Sequence, residues 1–179
     1  MIRKISILSI FCFVSIACFA QQPTVTPPPP TIPASAADVR LPCQKNPHTP
    51  SFDITLADTN KIFNTAEIRP GKKTAFIIFG PDCSHCRDFF NRLFVGIDTL
   101  TNIDFYLVTP VRSYDAFQRF YDAFHIVGHK NIKAAGRDLK FFVMDFFGVT
   151  QFPYIILYDE KGKLSGGFGP GPALSELHN

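Results

Sequence analysis

The run Thr74-Ala75-Phe76-Ile77-Ile78-Phe79 is apolar beyond its first residue, and Gly80-Pro81-Asp82-Cys83-Ser84-His85-Cys86 follows it without a break. A short continuous apolar run suits a strand buried on both faces, as in a parallel sheet covered by helices. After the cysteines, Phe89, Phe90, Leu93 and Phe94 recur at helical spacing until Gly96 stops the pattern. The cysteine pair therefore sits at a strand-to-helix junction. Any fold for this chain must bury both sides of that strand and keep the junction at an edge of the core.

The flanking sequence fills in an α/β architecture. Phe52-Asp53-Ile54-Thr55-Leu56 alternates apolar and polar residues, as a half-buried strand does. Turn residues at Asp58–Lys61 allow Ile62-Phe63 to return as a hairpin. Ile103–Val108 reads as a second buried strand, ended by Pro110. Ser113 can cap a helix with the stripe Tyr114, Phe117, Tyr121 and Phe124, and Asp138 can cap another carrying Phe142, Val143 and Phe146, closed by Gly148. Tyr154–Tyr158 is a third buried strand, turned by Asp159–Gly162 into an antiparallel edge strand over Leu164–Phe168. The phenylalanine stripes have the spacing of buried helix faces and read as core. Strand–helix alternation ending in a hairpin gives a central mixed β-sheet flanked by helices, with an N-terminal β-hairpin extension.

The N-terminus reads as a targeting segment. Met1-Ile2-Arg3-Lys4 is basic, Ile5–Phe19 is almost wholly apolar, and Ala20 precedes Gln21-Gln22-Pro23. This is the order of a secretory signal peptide over residues 1–20, and the apolar run is shorter than the ~20 residues a membrane span needs. Ser15-Ile16-Ala17-Cys18 is similar to a lipobox, so lipidation at Cys18 is the competing expectation and the one route to membrane attachment. Residues 21–50, with Pro27–Pro30 at their centre, read as a proline-rich tether, with a segment wrapped on the domain as the alternative. The folded domain then covers residues 51–179. Of the 18 basic residues, Arg3 and Lys4 leave with the signal. That leaves 16 against 15 acids, a balance without the basic excess expected of a nucleic-acid partner. Cys43, Cys83 and Cys86 remain, and an extracytoplasmic or periplasmic location permits disulfides.

Four chemistries could use the pair. A haem anchor needs histidine directly after the second cysteine, and Arg87 stands there. Structural zinc needs four ligands, and only Cys43 and scattered histidines are left to complete the set. A static staple or a working dithiol needs only the two sulfurs. With Cys83 at the start of a helix, the unpaired N–H groups and partial positive charge there favour its thiolate form, and His85 adds an imidazole. Cys86, one turn in, is more shielded and placed to resolve a mixed disulfide.

The strand followed by Cys83-Ser84-His85-Cys86, joined to Phe147-Gly148-Val149-Thr150-Gln151-Phe152-Pro153 entering a later strand, resembles the thioredoxin superfamily, in particular its exported TlpA-like, redoxin branch. The likeness covers the chain from about residue 51. It implies a thioredoxin-like fold, and a cis peptide at Phe152–Pro153 facing the cysteines. It also implies a thiol–disulfide oxidoreductase in which Cys83 is the nucleophile, Cys86 resolves, His85 tunes, and Phe152 with Pro153 shapes the substrate groove. No organic or metal cofactor is implied. The partners would be cysteine-containing exported proteins and a redox partner protein. Several positions depart from the family pattern. Asp82 replaces a tryptophan, Ile77 stands where many members bury an aspartate, and Phe89 stands where others of the branch carry a glutamate. Ser84 replaces the proline of Cys-Pro-His-Cys oxidants, and only Ala173–Asn179 remain after Pro172 for the family's last helix. The alternatives are a redox-inactive binding module with a structural disulfide, and a peroxiredoxin-type peroxidase. The latter's usual Thr or Ser three residues before the cysteine is here Gly80. The direction of electron flow, the role of Cys43 and the oligomeric state stay open at this stage.

Overall fold

The computed structural model describes residues 40–57 and 61–169. The segment read as a signal peptide, most of the proline-rich segment and the tail from Pro170 lie outside the described residues. Among these residues seven strands form one sheet. They are β1 (Asp53–Leu56), β2 (Ile62–Asn64), β3 (Lys73–Ile78), β4 (Ile103–Thr109), β5 (Ile132–Arg137), β6 (Tyr154–Tyr158) and β7 (Leu164–Phe168), in the order β2-β1-β5-β4-β3-β6-β7. β3, β4 and β5 run parallel, while β6 and β1 flank them antiparallel and carry the edge strands β7 and β2. The helices are α1 (Pro42–Lys45), α2 (Ser84–Gly96), α3 (Tyr114–Ala123) and α4 (Phe142–Phe147). This is the mixed sheet with flanking helices and an N-terminal hairpin that the sequence patterns predict.

Two cores sandwich the sheet. On one face Ala75, Ile77 and Phe79 of β3 and its continuation meet Phe90 and Leu93 of α2 and Phe117 of α3. On the other face Phe76 and Ile78 meet Val143 and Phe147 of α4, together with Phe52, Tyr106 and Tyr158. Burial of one such aromatic or aliphatic side chain contributes roughly 1.5–3 kcal/mol. Edge-on and tilted ring pairs, such as Phe79–Phe90 at 5.1 Å and Phe79–Phe120 at 4.5 Å, add to this.

The helix faces differ from the sequence stripes by one position. In α3, Phe117 is buried as expected, but the deeper partner is Phe120 rather than Tyr121 or Tyr114. In α4, Val143 and Phe147 point inward, while Phe142 and Phe146 are half-buried. Ser113 caps α3, its Oγ accepting from the Ala116 N–H at 3.3 Å. Asp138 caps α4 from a distance, accepting from Val143 N at 2.8 Å and Lys140 N at 3.0 Å.

β5 has no counterpart in the sequence reading. Ile132-Lys133-Ala134-Ala135-Gly136-Arg137 contains residues of low strand preference, so its pattern is faint. Its burial between β4 and β1 explains the composition. A Cβ at Gly136 would run into the Thr55 carbonyl and the Ile54 side chain of β1. Residues 41–50, read above as the end of the tether, lie on the domain. Cys43 is buried in the second core, Leu164 N donates to Pro47 O, and Thr49 N donates to Gly162 O. Gly136→Ala is expected to destabilise the fold by about 1–3 kcal/mol, because the methyl overpacks a site closed by backbone. Urea unfolding measures it, and an unchanged midpoint would refute this account of β5.

Candidate dithiol site

The apolar strand β3 delivers the site. Its C-terminal end continues through Phe79 and Gly80 into a turn, where Cys83 N donates to Gly80 O at 3.2 Å. Cys83 then serves as the N-cap of α2, with extended backbone angles (φ −79°, ψ 120°). The Cys86 N–H donates to Cys83 Sγ at 3.4 Å, so the sulfur takes the place of a capping oxygen. Unpaired amides at a helix start favour negative charge there by roughly 0.3–1 kcal/mol.

The two sulfurs have unequal surroundings. Cys83 is half-buried and Cys86 is fully buried within the first core. Burial pushes the Cys86 thiol up to about 12, the neighbouring Cys83 sulfur adds to the effect, and backbone hydrogen bonds from Gly80 and Cys86 offset part of it. Ile77 and Phe89, the two apolar residues that depart from the pattern the sequence resembles, are both buried. No carboxylate therefore contributes to the Cys86 shift.

The cis-peptide segment Phe152–Pro153 faces the pair. The Phe152 carbonyl oxygen lies 4.0 Å from Cys83 Sγ. Gly80 lies between the two, where a Cβ would sit 3.3 Å from Cys83 Cβ, a tight contact, and 3.5 Å from the Phe152 ring, an ordinary one. The structure thus brings Cys83, Cys86, Phe152 and Pro153 together. His85 lies on the exposed side of α2, and its imidazole makes no hydrogen bond among the described residues. Asp82, the carboxylate next to Cys83, is 3.8 Å from the Arg119 guanidinium of α3. The sequence reading did not single out Arg119, which is remote in sequence and carries no motif.

Cys43 belongs to the other face. It shares the second core with Tyr158, whereas Cys86 lies in the first. Burial raises the Cys43 thiol, and burial with Cys43 nearby raises the Tyr158 phenol. A cavity of about 450 Å³ also opens against the second core, walled by Phe52, Phe142 and Phe146, and includes neither cysteine of the pair. Among the described residues no three His, Cys, Asp or Glu side chains cluster as metal ligands.

Iodoacetamide added to the reduced folded protein is expected to alkylate Cys83 well before Cys43 and Cys86, read by peptide mass mapping. Equal labelling of Cys83 and Cys86 would contradict the asymmetry described here.

Among the structures this one resembles is the thioredoxin domain of a thiol-disulfide oxidoreductase from Bacteroides vulgatus. Identity is 18%, coverage 69% of this chain and 87% of that chain, and the TM-score 0.57. A secreted Mycobacterium tuberculosis disulfide oxidoreductase homologous to Escherichia coli DsbE is similar at 16% identity, over 70% of this chain and 90% of its own, with a TM-score of 0.58. Mycobacterium tuberculosis DsbF, solved in mixed oxidized and reduced forms, is similar at 22% identity, over 70% and 89%, with a TM-score of 0.55. No family model matches the chain, and no curated protein matches it. Strand order, the cysteine-capped helix and these similarities together establish that the chain has the thioredoxin-like fold.

Proposed function

We propose that this protein is an extracytoplasmic thiol–disulfide oxidoreductase that works through the Cys83–Cys86 dithiol. The observation that carries the reading is the unequal pair: a half-exposed sulfur at a helix start, next to a fully buried thiol one turn on. Thiol–disulfide exchange needs an accessible attacking sulfur and a shielded resolving one. The similar structures named as oxidoreductases agree with this reading, as does the signal-like segment of residues 1–20. Among the described residues no helix is long and apolar enough to cross a membrane.

In the reducing direction, the Cys83 thiolate attacks one sulfur of a substrate disulfide. A mixed disulfide forms and one substrate thiolate leaves. Cys86 then loses its proton and attacks Cys83 Sγ. The second substrate thiolate departs, and the Cys83–Cys86 disulfide has taken up the oxidation. The oxidising direction is the same sequence reversed. Phe152 and Pro153 form the wall along which the substrate strand lies, with the Phe152 carbonyl beside the reacting sulfur.

A redox-inactive binding module is the second reading, and Ile77 and Phe89 in place of buried acids favour it. Equilibration across glutathione ratios with thiol trapping separates the two. A reversible two-thiol transition between about −120 and −270 mV supports the enzyme, and its position distinguishes oxidant from reductant. A pair that does not exchange refutes the enzyme. Cys86 also sets a pH test. Burial is the largest cause that raises the Cys86 thiol and does not depend on Cys83. With Cys83 held in a mixed disulfide, the Cys86 thiol therefore still lies above the ordinary range, and its thiolate fraction rises about tenfold per unit between about pH 7 and 8. Release of a mixed disulfide preformed on Cys83 should rise in the same proportion in stopped-flow measurements. A flat profile would mean that another group takes the Cys86 proton.

A further inference from the structure

The parallel strands end side by side, and the dithiol occupies only one end of that edge. Ile78 of β3 is in register with Val108 of β4, and Thr109 of β4 with Arg137 of β5. The loops that follow β4 and β5 therefore continue the edge that holds Cys83. They carry an unusual surface. Tyr114, Leu139 and Phe141 are exposed at 39%, 40% and 38%. Two guanidiniums lie over these rings, Arg112 over Phe141 and Arg137 over Tyr114, each at 5.1 Å from the centroid. Arg137 Nη1 donates to Arg112 O at 2.9 Å, which ties the two loops together. Phe141 holds a left-handed φ of 58°, a costly conformation for a bulky residue and one found disproportionately at binding sites.

Neither Arg112 nor Arg137 forms an ion pair among the described residues, although Arg119, Lys133 and Lys140 each have an acidic partner. Asp115, exposed in the first turn of α3, pairs with neither. The edge thus presents two uncompensated cations on an aromatic floor. We infer that this surface is a docking platform for an acidic segment of the protein that exchanges disulfides with Cys83. The inference rests on the oxidoreductase reading for the role of the segment, but the surface itself is tested by binding alone.

Geometry sets where the acidic residues fall. Two strand spacings of ~4.8 Å separate the line of β3 from that of β5, and the loops add a few ångströms more, for a reach of roughly 10–15 Å. An extended chain covers that in about three to five residues. The partner segment carries Asp or Glu that far from its exchanging cysteine. Carboxylates accept the arginine fork, and an interleaved apolar residue covers the ring faces between them.

The test uses fluorescently labelled peptides with serine in place of the cysteine, one with Glu at those positions and one with Lys, titrated by anisotropy into the full chain. The acidic peptide is expected to bind about tenfold tighter at low salt, with the preference shrinking as ionic strength rises. Arg112→Gln with Arg137→Gln is expected to abolish the preference, and Arg112→Glu to shift it toward the Lys peptide. Because Arg137 also braces a loop, the solvent-facing Arg112→Glu keeps the outcome readable if the double variant unfolds. Equal affinity for both peptides, or a preference untouched by Arg112→Glu, would overturn the inference. Exchange of a small uncharged disulfide, measured in parallel, should be unchanged in Arg112→Glu. If that exchange is absent even in the wild type while the peptide preference stands, the oxidoreductase reading fails and the docking surface survives.

Discussion

Everything at the dithiol depends on β3 being buried from both sides. Ala75, Ile77 and Phe79 belong to one core and Phe76 and Ile78 to the other. A one-residue slip would exchange the two sets, forcing Phe76 and Ile78 into the space shaped for Ala75 and Ile77. The end of the strand is therefore fixed, and with it the turn at Gly80. The same core holds Phe89, Phe90 and Leu93, which sets the angle and start of α2. The 3.4 Å contact between Cys86 N and Cys83 Sγ is weak by itself. It persists because both ends are positioned by packing, so the capping geometry is inherited from the core.

That origin explains the inequality of the two thiols. A helix that enters the core one turn after its first residue leaves the N-cap at the surface and sinks the residue three places on. Burial of Cys86 then holds its proton, and among the described residues no carboxylate acts on it, since Ile77 and Phe89 surround it with hydrocarbon. The site combines an accessible first sulfur with a buried second sulfur that is costly to ionise.

Elements whose pattern comes from burial on one or two faces were legible in the sequence. The strand Thr74–Phe79, the stripe Phe89–Phe94 and the turn at Asp159–Gly162 all correspond to observed elements. β5 was not legible because its burial is expressed through small residues. Ala134, Ala135 and Gly136 are selected by the closeness of β1 and leave no alternating pattern. The stripes of α3 and α4 were placed on the right helices but rotated, because Tyr114 and Phe142 are apolar residues that stay partly exposed. At the site, the cysteines were legible through their spacing, and Phe152 and Pro153 through the resemblance to the thioredoxin superfamily. Arg119, Arg112 and Phe141 reach the same edge only through the strand order, which one sequence does not display.

The segment before β1 bears on the remaining cysteine. α1 places Cys43 in the second core near Tyr158, across the sheet from Cys86. Exchange between Cys43 and the pair would require that core to open. Leu41 rests where a Cβ on Gly148 would stand, and Gly148 ends α4 with a positive φ of 63°, so the strap and the helix end are shaped to one another. Farther along, His48 bridges to Lys163 and Thr49 N bonds Gly162 O, which covers the turn leading into the edge strand β7. Covering a sheet edge limits its pairing with other chains. Cys43 in this setting acts as a small apolar side chain that anchors a strap, on the face of the sheet opposite Cys86.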